Sequence, residues 1–130
     1  MNFLISGGTG FIGSSLCSHL LKQGHNIVVK TRHPELIDKK MKGVNTLAQV
    51  SADEKFDVVI NFTGEPIANK RWSKSQKQKI LRSRIESTEE LIEYFRSAKN
   101  KPALFISSSA IGYYGVGSTN EIVGEECFGD

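Results

Sequence analysis

The fold of this protein is decided by residues 1–13, which read Met1-Asn2-Phe3-Leu4-Ile5-Ser6-Gly7-Gly8-Thr9-Gly10-Phe11-Ile12-Gly13. A short apolar run leads directly into three glycines with the spacing Gly7-x-x-Gly10-x-x-Gly13. This order predicts a buried strand, a tight turn and the start of a helix. The glycines permit positive φ, close backbone approach to a phosphate and close helix packing. Because helix N-termini attract anions, the pattern predicts a pyrophosphate site; a purely structural turn is the alternative.

The residues that follow complete a β-α-β unit. Gly24 marks the end of the first helix, and the continuous apolar run Ile27-Val28-Val29 is typical of a strand buried in a parallel sheet. The apolar side chains that recur at helical spacing are Ile12, Leu16, Leu20 and Leu21. This context favours a dinucleotide-binding fold over an isolated glycine-rich turn.

The residues directly after the second strand indicate which dinucleotide is bound. In this fold an acid about twenty residues beyond the glycines binds the ribose hydroxyls of NAD, whereas an arginine accommodates the 2′-phosphate of NADP. This chain has Lys30, Arg32 and His33 there, and no acid before Glu35. We therefore expect NADP rather than NAD, with Arg32 as the chief phosphate ligand and Lys30 or His33 as helpers. The alternative is that Arg32 is a solvated surface residue.

Further elements are predicted along the chain. We expect a short polar helix over residues 34–42, a short strand near 44–47 and a buried strand over 57–62. A last strand is expected at 103–106, and an irregular segment at 116–130. An apolar strand at the edge of a sheet invites pairing between chains, so we expect a homodimer or edge-strand association.

A long helix is predicted before the last strand. Ser73, followed three residues later by Gln76, is a suitable N-cap. The residues expected to face the sheet are Leu81, Ile85, Thr88, Ile92 and Phe95. Seven basic residues lie from Lys70 to Arg84, which is one feature of a nucleic-acid surface. Because glutamates follow at once on the same helix and the net charge is only +3, we expect no nucleic-acid partner.

The composition is that of an ordinary single domain. The 130 residues are 38% hydrophobic and 24% charged, which is typical of a globular protein. Cys17, Cys127 and the three histidines have no metal-ligand spacing, so no metal is expected. No run approaches the length of a membrane span and no signal peptide is evident, so we expect a cytoplasmic protein without a membrane partner.

The chain resembles a known superfamily in three segments, residues 7–13, 60–67 and 107–115. Together these segments are similar to the extended short-chain dehydrogenase/reductase superfamily. Residues 70–72 and 83–85 narrow the resemblance to its NAD(P)-dependent epimerase/dehydratase-like branch, whose members are labelled sugar-nucleotide epimerases or cell-division inhibitors. The resemblance implies an α/β fold with a Rossmann-like, doubly wound parallel sheet in the strand order 3-2-1-4-5.

The resemblance also implies a nicotinamide dinucleotide across the carboxyl edge of the sheet, held by a domain over residues 1–115. The glycine loop is expected at the pyrophosphate, Thr63 and Gly64 at the adenosine ribose, and the serine run at the nicotinamide. With Arg32, the residues expected to contact the cofactor are Gly7, Thr9, Gly10, Phe11, Ile12, Gly13, Thr63, Gly64 and Ser107.

Catalysis in that superfamily uses a serine that holds the substrate oxygen and a tyrosine, from a Tyr-x-x-x-Lys pair, that moves the proton. Ser109 matches the serine best, Ser108 is the alternative, and Tyr113 or Tyr114 is expected nearby. The 130 residues contain no Tyr-x-x-x-Lys pair. We therefore expect a C-terminally truncated chain that lacks a substrate domain and is inactive by itself.

Two functions fit these observations. The first is the NADP(H)-binding part of an oxidoreductase or epimerase that acts on a nucleotide-sugar or a related carbonyl compound. The second is a dinucleotide-binding module that senses or regulates and catalyses nothing, which the missing Tyr-x-x-x-Lys pair favours.

Overall fold

The computed structural model of the chain describes residues 1–109. Its elements are β1 (Asn2–Ser6), α1 (Phe11–Lys22), β2 (Asn26–Lys30), β3 (Lys42–Val44), β4 (Val58–Asn61), α2 (Lys74–Ser97) and β5 (Leu104–Ser107). Within these residues the strands form one parallel sheet in the order β3-β2-β1-β4-β5. This order confirms the sequence prediction. Tyr113, Tyr114, Cys127 and the segment 116–130 lie outside the described residues.

Helices cover both faces of the sheet. This is expected, because central strands that are continuous apolar runs need to be buried on both faces. β1 lies at the centre and pairs with β2 and β4. Alternate residues of a strand point to opposite faces, so Ile5 packs with Cys17 and Leu20 of α1, whereas Leu4 packs with Leu91 of α2. This is the doubly wound arrangement, in which ligands bind at the carboxyl ends of the strands.

The connection from β2 to β3 differs from the helix predicted over residues 34–42. Only one 3-10 turn forms, Pro34–Leu36. Beyond it the Asp38 carboxylate accepts a hydrogen bond from the Lys40 N–H at 2.8 Å, and the Asp38 carbonyl accepts one from the Met41 N–H at 2.9 Å. The prediction was wrong because the Asp38 side chain competes for the backbone donors that a helix would use.

The strand predicted near residues 44–47 begins earlier and ends at Val44. Thr46 caps a 3-10 turn directly afterwards, with its side chain accepting a hydrogen bond from the backbone of that turn. Gln49 completes the reciprocal cap, since its Oε1 accepts a hydrogen bond from the Thr46 N–H at 3.3 Å. A capped turn therefore replaces the second half of the predicted strand.

The helix α2 begins as predicted. The Ser73 Oγ accepts a hydrogen bond from the Gln76 N–H at 3.2 Å, which satisfies one of the free donors at the start of the helix. The predicted sheet-facing side is only partly correct. Phe95 does pack against the core, but Leu81, Ile85 and Ile92 are 44–60% exposed.

The rotation of α2 is set by a polar contact at the end of β4. The buried Asn61 Nδ2 donates a hydrogen bond to the Thr88 Oγ1 at 3.0 Å and lies 3.5 Å from the Ser87 Oγ. Because a buried amide is costly without partners, this contact turns Ser87 and Leu91 toward the sheet. A pattern of apolar residues alone does not reveal that contact.

β5 is the outer strand of the described sheet. It pairs with β4, and its apolar residues Leu104, Phe105 and Ile106 are 38–51% exposed. The strand begins one residue later than the predicted 103–106 and extends to Ser107. The described residues therefore present the apolar strand edge that the sequence predicted.

Candidate functional site

Gly7 brings the turn after β1 against the ends of β2 and β4. Its φ of +80° is a left-handed conformation that L side chains rarely adopt. Its N–H donates a hydrogen bond to the Lys30 carbonyl at 3.3 Å, and a Cβ here would lie 2.8 Å from the Phe62 carbonyl carbon. Only glycine fits at this position, so the backbone passes closely over the carboxyl edge of the sheet.

The other two glycines shape the start of α1. A Cβ on Gly13 would lie 2.3 Å from the Gly7 carbonyl oxygen, so the helix packs directly on the turn. Gly10 is the N-cap residue, and no side chain among residues 1–109 caps the helix there. The first N–H groups of α1 are therefore left for an anionic ligand. The turn fits a dinucleotide pyrophosphate in both shape and donors.

A groove of about 490 Å³ lies beside this turn, at the carboxyl ends of β1, β2 and β4. Its walls include six of the ten predicted cofactor residues, namely Gly7, Thr9, Gly10, Arg32, Thr63 and Gly64. The remaining wall residues are Ser6, Lys30, Thr31, Asn45, Phe62, Pro66, Ser83, Glu86, Ser87 and Glu90.

Four predicted cofactor residues do not line the groove. Phe11, Ile12 and Gly13 form the first turn of α1 next to it, and Ser107 ends β5. Ile12, which recurs at helical spacing with Leu16 and Leu20, is 64% exposed. Because Gly13 is the residue that faces the turn, its neighbour Ile12 points to solvent.

Two hydroxyl pairs join the strand ends that form the groove floor. The Ser6 and Thr63 hydroxyl oxygens are 2.5 Å apart, which connects the ends of β1 and β4. The Thr9 and Thr31 hydroxyl oxygens are 3.2 Å apart, which connects the glycine loop to the end of β2. The groove thus combines backbone donors with hydroxyl groups, the kinds of group that hydrogen-bond phosphate and ribose.

The cations after β2 have different surroundings. Arg32 is exposed, lines the groove and makes no hydrogen bond or ion pair with other residues in the 1–109 range. Lys30 donates a hydrogen bond to the Glu90 carboxylate, and His33 lies 3.1 Å from the Glu35 carboxylate. The pKa of Glu35 is lowered, first by a backbone hydrogen bond and less by His33. Both expected helpers are therefore already engaged.

The loop after β4 is held by residues of the first half of α2. The Ser83 Oγ accepts a hydrogen bond from the Glu65 N–H at 2.9 Å, and an Arg84 Nη1 donates to the Glu65 carbonyl at 3.4 Å. The Arg84 guanidinium also lies against Gly64, where a Cβ would be 2.9 Å from its central carbon. This contact explains part of the resemblance at residues 83–85: they position the loop that carries Gly64.

The serine run continues from the end of β5. Ser107 is paired with Asn61 of β4, and the Ser108 N–H donates a hydrogen bond to the Asn61 carbonyl at 3.2 Å. Ser107, Ser108 and Ser109 are exposed at the carboxyl edge of the sheet. The two tyrosines expected nearby lie outside the described residues, so their part in a catalytic site stays a prediction.

Several groove residues on α2 were missed by the sequence analysis. Ser83, Glu86, Ser87 and Glu90 all line the groove. Their spacing of three and four residues places them on one side of a helix. That polar spacing is the available signal, whereas the predicted inward face, apart from Thr88, followed the spacing of apolar residues.

Among residues 1–109, no group of three or more His, Cys, Asp or Glu side chains is placed to hold a metal ion. Over the same range, none of the helices combines the length and the apolar character needed to cross a bilayer. Cys17, on the buried side of α1, packs in the core, and burial raises the pKa of its thiol.

Comparison with known proteins places the fold in a family. The model of the NAD dependent epimerase/dehydratase family matches residues 3–127. An epimerase family protein of Staphylococcus aureus (strain N315) is 40% identical over 116 residues, which cover 86% of this chain and 38% of the relative. This chain therefore spans less than half the length of that relative.

Two solved structures share the architecture. The human epimerase family protein SDR39U1 (isoform 2) with NADPH has a TM-score of 0.74 and 29% identity, covering 88% of this chain and 38% of that one. MoeE5 in complex with UDP-glucose and NAD has a TM-score of 0.73 and 24% identity, covering 100% and 42%, and shows likeness of fold. On the family match and the 40% identity, this chain belongs to the NAD dependent epimerase/dehydratase family.

Proposed function

We propose that this chain is the NADP(H)-binding part of an oxidoreductase or epimerase that acts on a nucleotide-sugar or a related carbonyl compound. The observation that carries the proposal is the uncapped glycine turn at the carboxyl edge of the sheet. In this turn a Cβ on Gly7 or on Gly13 would collide with neighbouring backbone atoms. The family membership and the NADPH in the human relative's structure support it.

The preference for NADP rests on Arg32. Its guanidinium is exposed at the groove, and a guanidinium binds phosphate with two parallel hydrogen bonds. NAD is the less favoured cofactor, although MoeE5, a protein of similar fold, was crystallised with it. The cofactor residues already named keep their predicted roles, with Thr63 and Gly64 beside the adenosine ribose.

A bound nicotinamide supplies the hydride acceptor or donor for such a reaction. The residues proposed to act on the substrate are those after β5. Ser109, or Ser108 in its place, is proposed to donate a hydrogen bond to the reacting oxygen, with Tyr113 or Tyr114 proposed to act near the same oxygen.

We also propose a cytoplasmic location, since two cysteines without disulfide or metal spacing suit a reducing compartment.

The proposal is tested by titrating the purified chain with NADPH and with NADH while cofactor fluorescence is followed. Saturable binding with NADPH preferred supports it, and failure to bind either nucleotide refutes it. Preference for NADH would refute the role of Arg32.

The second candidate is a dinucleotide-binding module without catalysis, favoured by the absence of a Tyr-x-x-x-Lys pair from the 130 residues. Turnover tests this candidate. NADPH-dependent conversion of a UDP-sugar or a simple carbonyl compound by this chain would exclude the module. Tight binding without turnover is expected of both candidates, because the first also predicts that the chain is inactive by itself.

The exposed edge of β5 supports a proposal about assembly. Within residues 1–109 β5 pairs only with β4, so Leu104, Phe105 and Ile106 offer the outer edge of an apolar strand to a second copy. We expect a concentration-dependent dimer in sedimentation velocity. A monodisperse monomer across the accessible concentration range would refute this association.

A further inference from the structure

An ion pair inside the groove joins the end of β2 to the middle of α2. Lys30 donates a hydrogen bond to the Glu90 carboxylate, across sixty residues of sequence. The Lys30 side chain is 15% exposed and that of Glu90 is 40% exposed. Both residues line the groove together with Arg32. The pair therefore lies where the discrimination between NADP and NAD is expected.

The ion pair with Glu90 weakens the attraction between the Lys30 ammonium group and a 2′-phosphate. A phosphate that approaches the ammonium group also approaches the Glu90 carboxylate, and like charges repel more strongly where the surroundings are partly buried. Arg32 has no such competitor among the described residues. A ribose 2′-hydroxyl carries no charge and can donate a hydrogen bond to a carboxylate, so the same residue favours NAD.

We infer that Glu90 is a specificity-determining residue for the cofactor. It holds Lys30 away from the 2′-phosphate and supplies, from α2, the acid that the sequence lacks directly after β2. Recognition of the phosphate then depends on Arg32, and the preference for NADP over NAD is smaller than the two cations would otherwise give. This inference rests on the proposed function, because it assumes that the groove binds a nicotinamide dinucleotide.

The test compares Glu90→Gln with the matched control Glu93→Gln. Glu93 lies on the same helix, is exposed, does not line the groove and pairs with Arg96 instead. Dissociation constants for NADPH and NADH are measured at low salt by fluorescence titration. For Glu90→Gln we expect the NADPH-to-NADH preference to rise about fivefold, the size of one partly exposed charge interaction. For Glu93→Gln we expect no change.

A second pair of variants tests whether Glu90 acts through Lys30. Lys30→Met is made alone and together with Glu90→Gln. If the carboxylate withholds the ammonium group, Glu90→Gln raises the NADPH preference less when Lys30→Met is also present. An equal gain in both backgrounds would show that Glu90 does not act through Lys30 and would overturn that part of the inference.

The outcomes separate this inference from the proposed function. Because the preference is a ratio, a loss of folded protein weakens both nucleotides and leaves the ratio unchanged. An unchanged ratio in Glu90→Gln, with both nucleotides still bound, overturns the inference alone. If the unsubstituted chain binds neither nucleotide, the proposed function fails and the inference fails with it.

Discussion

The two ends of the groove are built in different ways. At the glycine turn, recognition depends on backbone atoms whose spacing is fixed, since a Cβ on Gly7 would meet the Phe62 backbone at 2.8 Å. At the end of β2, recognition depends on flexible charged side chains, among which Lys30 is already paired with Glu90. A substitution at the glycine turn is therefore expected either to abolish cofactor binding or to leave it intact. A substitution at the end of β2 is expected to change the affinity by a moderate amount that depends on salt.

The largest expected effect compares Gly7→Ala with Gly24→Ala. The two glycines have nearly equal φ values of +80° and +78°, but a Cβ on Gly24 would have no neighbour within 4 Å in the described part of the chain. Alanine at Gly24 costs only the left-handed backbone, about 1–2 kcal/mol. Gly7→Ala adds a collision with backbone atoms. We therefore expect it to lower the free energy of unfolding by at least about 2 kcal/mol more than Gly24→Ala does.

Denaturant unfolding and NADPH titration measure this pair of variants. Gly7→Ala is expected to lose NADPH binding, and Gly24→Ala is expected to retain it. Equal destabilisation with binding retained in both variants would show that the close contact at Gly7 is not a feature of the turn.

The next effect is that of Arg32→Ala on cofactor choice. Removal of a charge-assisted phosphate contact is expected to weaken NADPH binding by about 1–2 kcal/mol and to leave NADH binding nearly unchanged. Arg82→Ala is the control, because Arg82 is exposed on α2 and does not line the groove. Equal weakening of both nucleotides would place the phosphate elsewhere.

Ionic strength is expected to have a smaller effect that tells the two ends apart. The Debye length falls from about 10 Å at 0.1 M salt to about 3 Å at 1 M. NADPH binding should therefore weaken several-fold more than NADH binding, since its extra phosphate meets exposed charges. A parallel decline for both nucleotides would indicate that Arg32 makes no phosphate contact.

The smallest expected effect is that of Thr9→Val. This change removes the 3.2 Å hydroxyl contact to Thr31 while nearly conserving shape. We expect both nucleotides to bind more weakly by about 0.5–1 kcal/mol, because a neutral hydrogen bond contributes about that much. Thr9→Ser keeps the hydroxyl and should bind normally; equal behaviour of the two variants would show that the hydroxyl plays no part.

Several parts of the fold could be predicted from local sequence patterns. The glycine turn and the Ser73 cap follow from short-range features that act within a few residues. The strand order was expected from the resemblance to the superfamily, and the structure confirms it. The predicted helix over residues 34–42 failed because a single side chain, that of Asp38, forms a competing turn. Such local competition changes a helix boundary without changing the fold.

The inward side of α2 was harder to predict from the sequence. Helical spacing indicated Leu81, Ile85 and Ile92, which are exposed. It also indicated Thr88, which does contact the buried Asn61 amide, but it did not indicate Ser87 beside it. The partner of Asn61 lies more than twenty residues away, so no local pattern contains that contact. The same rotation brings Glu86 and Glu90 to the groove, where the sequence had indicated no acid.

By itself the sequence determined the glycine turn and the basic residues after β2, because backbone conformation and residue chemistry act locally. Only the tertiary structure decided which charges share the groove. Helix packing brings Glu90 to Lys30 across sixty residues, and that pairing depends on the rotation of α2. The sequence therefore predicts a cofactor site, whereas the balance between NADP and NAD depends on contacts that exist only in the folded chain.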